Sequence, residues 1–362
     1  MLTSSKSFLA ILILFTSLLS GCASYVFRAA YEEGKILWRR EPIETLLDNP
    51  DLDAKKKEKF QLVLQVREYA REKLKMTVKG SYASYSHIDR SVLSYVLMAA
   101  PKTSLTHYTW WFLLVGRVPY KGFFSEEEAK AEAKSFQAQG YDTYIRTSAA
   151  FSTLGWFNDP LLSNLLRYDR VTLAEVIFHE LLHNTIYVKG AGDFNESLAN
   201  FVGNRAAIDF FRERYGEGSP EHQRAIQNWQ EEVEFSTFIT GVARSLKNLY
   251  AKGLPEKDTL RLREEIFFRS QEEWARRIAN RPEHRFRRYS RQGQEVNNAV
   301  IGHYLLYLRD LGLFQSLYEA DGKNLVRVMD SVKGSVQTGG DPYQMVQQLL
   351  NGSKRAREGE SG

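Results

Sequence analysis

Apolar and polar positions follow two different periods along this chain, and the change between them separates a small sheet from a largely helical body. Residues 55–75 read as a charged amphipathic helix. Thr109 to Val118 is apolar and aromatic-rich and is followed by Pro119, which predicts a buried strand. Ser125 to Gln139 is an Ala/Glu/Lys helix closed by Gly140. Tyr141 to Thr153 then alternates β-branched and aromatic residues as a strand does. After Asp159 the helical period dominates, with long segments at 219–252 and 256–280. Before all of these, Tyr25 to about Asn49 suggests an entry helix broken near Pro42. The fold class expected is α+β, predominantly helical, with one domain over residues 22–351 that includes an amino-terminal helical extension. The polar, charged stretch 352–362 is expected to be a disordered tail.

Within the helical part, Val171 to Phe178 is mostly apolar and predicts a buried helix, with Thr172 as its cap and Glu175 completing a capping box. His179-Glu180-Leu181-Leu182-His183 continues that helix. Residues four apart share a helix face, so both imidazoles can meet one zinc ion, and Glu180 can serve as general base to a water held there. Two histidines buried without partners would be costly, and a metal satisfies both.

Catalytic zinc commonly takes three protein ligands. The zincin pattern that continues with Gly and His at three and six residues past the second histidine is excluded, because Ile186 and Lys189 occupy those places. Beyond Gly190-Ala191-Gly192 the chain reads as a second helix capped by Asp193, which brings Glu196 back toward the histidines as the expected third ligand. Asp193 is the alternative ligand, and Asp193-x-x-Glu196 also reads as a plain capping box. Asn200, one turn on, is a candidate acceptor for the second N–H of a ligating histidine.

His179 to His183 followed by Asn195-Glu196-Ser197-Leu198-Ala199 resembles the Glu-zincin (gluzincin) metallopeptidases. Together with Val118 to Phe124, Phe151 to Pro160, Asn297-Asn298-Ala299, Tyr307 and Phe314, it resembles a bacterial family of zinc aminopeptidases over most of residues 20–330. The resemblance implies a zincin-like fold, one zinc ion, a peptide substrate and hydrolysis of its peptide bonds. Such a site also wants a donor for the carbonyl oxygen opposite the metal. The helix around Val296 to Tyr307 offers His303, Tyr304 and Tyr307, of which Tyr307 matches the family pattern. In zincins an edge strand beside the cleft pairs with the peptide, and Ser148 to Gly155 is the candidate here, with Trp156 and Phe157 as pocket or core residues.

The amino terminus adds a separate signal. Lys6, the apolar run Phe8 to Leu19 and Leu19-Ser20-Gly21-Cys22 describe a secretory signal over residues 1–21. Leu-Ser-Gly-Cys resembles the bacterial lipoprotein box, which implies lipidation of Cys22. With Ala23 next, the destination expected is the periplasmic face of the outer membrane. Cys22 is the sole cysteine, so an intrachain disulfide is excluded and metal ligands must be nitrogen and oxygen donors. The net charge of +5 owes much to arginines between Arg261 and Arg291, but interleaved glutamates and the lack of a nucleic-acid motif favour a solvated helix face over nucleic-acid binding. Two functions remain open: a zinc peptidase on an envelope lipoprotein, or a non-catalytic binding or assembly lipoprotein on the same scaffold. Glu180 favours the first, because a structural zinc needs no base beside its ligand.

Overall fold

The computed structural model describes residues 31, 34–90, 92–112, 116–148, 158–291, 293–337 and 339–360. Among these, strands form three small sheets and the remainder is mostly helix, consistent with the α+β expectation. The signal segment, Cys22 and residues 149–157 of the candidate edge strand and pocket lie outside the described residues, as do Trp156 and Phe157.

The sheet that matters for the site has β3 (Ser94–Pro101) at its centre, between β6 (Lys121–Phe123) and β7 (Tyr141–Ser148), all antiparallel. The register Ser94↔Ser148 to Pro101↔Tyr141 runs the full length of both long strands. One face, with Leu97 and Ala99, is covered by α3 (Glu126–Ala138) through Ala129, Ala133 and Phe136. On the other face α8 (Asn298–Leu308) crosses both β3 and β7. Burial on both faces removes any polar alternation from Ser94–Pro101, so its sequence carries no period-two signature. The expected single strand over 109–118 is instead two strands, β4 (Trp110–Phe112) and β5 (Gly116–Val118), paired antiparallel. Gly116, the first residue of β5, takes φ +79°, a conformation most residues avoid. The third sheet joins β1 (Glu41–Pro42), β2 (Ser84–Ser86) and β8 (Leu161–Leu162). Pro42 stands in β1, ahead of the short helix α1 (Ile43–Leu47), so the entry segment is interrupted where the proline predicts.

The helical body is built on α4 (Arg170–His183) and α5 (Gly192–Tyr215), which pack along each other. α2 (Ala54–Glu72) covers α4 from one side, and α6 (Pro220–Tyr250) packs on α5. The cap of α4 is Asp169, not Thr172: its Oδ1 accepts from the Val171 and Thr172 amides, both at 2.9 Å, and Thr172 Oγ1 donates to Oδ2 at 2.8 Å. Glu175 is likewise not part of a capping box; it is 5% exposed and faces α6. α7 (Glu256–Arg277) sends Arg263 back to the sheet, where it holds Asp142 with two bonds of 2.6 and 3.1 Å. Asp142 also accepts from the Asn298 amide at 3.0 Å, and Asn297 donates to Thr143 O at 3.1 Å while capping α8. The start of α8 is therefore fixed to β7 by polar bonds. α9 (Leu311–Ala320), α10 (Leu325–Val336) and α11 (Pro342–Glu360) complete the body. Residues 352–360, expected to be disordered, continue α11. No helix among the described residues is long and apolar enough to cross a membrane.

Candidate metal centre

On α4 the four-residue spacing brings the two imidazoles together, with His179 Nε2 and His183 Nε2 3.2 Å apart and their rings nearly perpendicular at 84°. Glu196, in the second turn of α5, places Oε2 3.2 Å from His179 Nε2 and 3.8 Å from His183 Nε2. Among the described residues these are the three that could jointly hold a cation, their ligand atoms all within 4.8 Å of one another. Asp193, the alternative ligand, is elsewhere: its carboxylate takes the Arg309 guanidinium and the Phe194 amide. It is also not the cap, since Ala191 occupies that position and Asp193 stands inside the first turn.

Two features of sequence set the approach of Glu196. Asn195 closes the connecting loop by accepting from Val188 N and donating to Val188 O, both at 2.8 Å. Farther along α5, Gly203 lies against α4, where an added Cβ would stand 2.8 Å from Glu175 O and 3.2 Å from His179 N. Only a residue without a side chain allows the two helix backbones so close.

The donor atoms fit a zinc ion. Tetrahedral ligands at 2.0–2.2 Å from the metal stand about 3.3 Å from each other, against the 3.2, 3.2 and 3.8 Å found here. Two imidazole nitrogens and one carboxylate oxygen are also a known catalytic zinc set. Burial pushes the Glu196 carboxyl up, but the hydrogen bonds and charge of the two histidines hold it well below the usual carboxylate range. Burial pulls His183 down, and Glu196 outweighs it and raises the imidazole above its ordinary value. Asn200 does not support either histidine; its amide donates to Glu232 Oε2 at 2.9 Å, and the buried His183 Nδ1 takes no bond from any described residue.

These groups open into a cavity of about 870 Å³, whose wall includes Glu180, Tyr120, Arg146, His303, Tyr304 and Tyr307. Glu180, which follows His179 on α4, lies on the same cavity wall. Tyr307, from α8, has its ring centroid 6.3 Å from that of His179. Burial raises its pKa against the pull of the Arg146 charge, with smaller upward pushes from Glu196 and Glu180, so the phenol keeps its proton. Burial and the Arg146 and His107 charges push His303 well below the ordinary histidine value, leaving it neutral. Tyr304 packs its ring against Phe235 at 4.8 Å.

Arg146 is one of two cavity residues that the sequence reading missed. It projects from β7, donates from Nη2 to the Tyr307 hydroxyl at 2.6 Å and lies over the same ring at 5.4 Å. Burial lowers its pKa, but Tyr307, Glu196 and Tyr120 raise it overall, so the guanidinium stays charged. A signal existed: a lone cation in a strand, flanked by Ile145 and Thr147, at a position that alternation assigns to one face with Tyr144. Tyr120, also missed, is raised well above the ordinary phenol value, chiefly by burial and then by Glu196. The arginine-rich stretch 261–291 is only partly a solvated face, because Arg263 holds Asp142, Arg281 holds Glu234, and Arg285 spans Glu175 and Glu232.

The family model described as "Putative aminopeptidase" matches residues 24–340, most of the chain. None of the curated proteins and none of the solved structures matches it.

Proposed function

We propose, from the premise that this chain belongs to the putative aminopeptidase family, a zinc-dependent peptidase that removes residues from the amino end of peptides. The observation that carries this reading is the meeting of His179 Nε2, His183 Nε2 and Glu196 Oε2 within 4.8 Å, at the wall of a cavity that also holds Glu180. His179, His183 and Glu196 would hold the ion, which when bound supplies Lewis acidity to a water and to the scissile carbonyl.

The remaining chemistry belongs to side chains. Glu180 takes a proton from the attacking water as its oxygen bonds to the carbonyl carbon, and returns that proton to the amine nitrogen when the C–N bond breaks. Arg146 donates to the Tyr307 oxygen, so that oxygen acts as acceptor there and its own O–H is free to donate. That proton is the one offered to the carbonyl oxygen as negative charge develops on it. The Arg146 guanidinium adds a fixed positive charge beside the Tyr307 oxygen. Lipidation of Cys22 would anchor this domain at the bacterial envelope, with its substrates on the periplasmic side.

Bound zinc and hydrolysis of amino-acid anilides, measured on the wild type and on Glu180→Gln, test the reading together. Both proteins should bind zinc, and the variant should lose about 10²- to 10⁴-fold in kcat. A wild type that holds zinc and cleaves no peptide would refute the hydrolase and favour a binding lipoprotein. Labelling with radioactive palmitate, abolished by Cys22→Ser, tests the anchor; a labelled variant rejects it.

A further inference from the structure

Part of the cavity takes no role in that chemistry. It lies one helical turn before His179, about 6 Å along α4, where Glu175, Asn204, Glu232 and Arg285 line the wall. Glu175 and Glu232 are each 5% exposed and Asn204 is 2% exposed, so this is an interior chamber and not a surface cluster.

Its polar bonds leave a definite remainder. Arg285 Nη2 meets Glu175 Oε2 at 3.0 Å, and Nη1 stands 3.1 Å from Glu232 Oε1. Two carboxylates therefore face one guanidinium, an excess of acidic charge in the wall. Asn228 meets the second Glu175 oxygen at 2.8 Å, and Asn200 the second Glu232 oxygen at 2.9 Å. Burial raises the Glu175 carboxyl above its ordinary value. Glu231, behind the wall, accepts from the Arg285 amide at 3.0 Å and adds to the acidic charge. Asn204 donates through Nδ2 to Asn200 O at 2.9 Å. A carbonyl only accepts, so this bond fixes which end of the Asn204 amide is oxygen. Asn204 Oδ1 is buried and accepts from no described residue. What would complete the chamber is a group with N–H donors and a positive charge. An anion is disfavoured, because two carboxylates flank the Arg285 guanidinium, although its Nη1 makes no aligned hydrogen bond to a described residue.

We propose that this chamber is the subsite for a protonated alkylamine carried by the peptide substrate, a proposal that rests on the peptidase reading. Two parts of a peptide carry that chemistry, the free amino terminus and a lysine side chain. Calorimetric titration of the zinc-loaded, slow Glu180→Gln protein separates them with four peptides: Lys-Ala-Ala, norleucine-Ala-Ala, and the acetylated form of each. A charge-assisted hydrogen bond in a buried site corresponds to about ten- to a hundred-fold in affinity. If the chamber takes the side chain, norleucine binds that much more weakly than lysine. If it takes the terminus, acetylation brings the loss. In either case Glu232→Gln and Asn204→Ala, each added separately, should shrink the preference. Equal binding of all four peptides overturns the proposal, as does a preference that persists undiminished in both folded variants. Should a variant not fold, the four-peptide comparison decides alone. An amine preference without turnover in the wild type would sink the hydrolase and leave the subsite standing; turnover with no amine preference would do the reverse.

Discussion

Gly203→Ala is expected to weaken zinc binding from a position that touches no ligand atom of the centre. The new Cβ would meet Glu175 O at 2.8 Å, His179 N at 3.2 Å and His179 Cβ at 3.3 Å, whereas ordinary contact begins near 3.4 Å. Two of the three are backbone atoms of α4, which can yield only if one helix moves, so α5 must withdraw by about half an ångström. Metal-ligand distances tolerate about 0.2 Å, and Glu196 is carried by α5 two turns before Gly203. The withdrawal is therefore larger than the ligand set can absorb. Overpacking costs about 1–3 kcal/mol, and the better helix propensity of alanine offsets about 1 kcal/mol of it, for a net loss of roughly 0–2 kcal/mol. Zinc affinity should fall about ten-fold or more, as it does when support of a ligand is disturbed.

Chelator competition gives the affinity and urea denaturation the stability. Gly241→Ala is the control, since Gly241 is exposed in α6 and a Cβ there meets nothing within 4 Å; it should stabilise by about 1 kcal/mol. If Gly203→Ala behaved like this control, with zinc affinity unchanged, the close approach of α4 and α5 would not be what positions Glu196.

Other expectations follow from the same bonds. Tyr307→Phe removes the hydroxyl held by Arg146 at 2.6 Å and should lower kcat about 10²- to 10³-fold with KM little changed; steady-state kinetics on an anilide decides, and a change confined to KM counts against the role. Arg263→Ala leaves Asp142, 6% exposed, without its buried partner and should cost about 3–5 kcal/mol in urea denaturation; a loss under 1 kcal/mol would contradict it. Asp169→Ala removes the α4 cap and should cost about 1 kcal/mol at pH 7. Burial pushes the Asp169 carboxyl up, but bonds from the Thr172 amide and hydroxyl and the Val171 amide hold it lower overall. A depressed carboxyl contributes stability above its unfolded value, near pH 4, and loses it as pH falls through the folded value. The gap between wild type and variant should thus narrow below pH 4, and a gap constant with pH would assign the loss to something other than the charged cap.

How much of this was legible beforehand depends on the range over which each feature is encoded. α3 and α6 lie within a residue or two of expectation because their caps, Ser125 and Ser219, and their apolar spacing are local. The histidine pair is equally local, since one helix fixes both imidazoles. Glu196 was within reach because the loop between α4 and α5 is short and Asn195 closes it on itself. The failures are of another kind. β3 has apolar neighbours on both faces, so no period marks it. Sequence proximity pairs Asn200 and Glu175 with groups on their own or the adjoining helix, and each instead bonds α6, at Glu232 and Asn228. Arg146 meets Tyr307 across 161 residues of sequence, where the packing of α8 on β7 and the bonds of Asp142 and Asn297 bring them together. The proposed zinc ligands could be read from one helix and one short loop, whereas the groups proposed to act on the substrate come from separate elements joined by packing. Substrate choice in this protein should therefore respond to substitutions far from His179 in sequence, at β7, α6 and α8, while zinc binding should respond chiefly to α4 and α5.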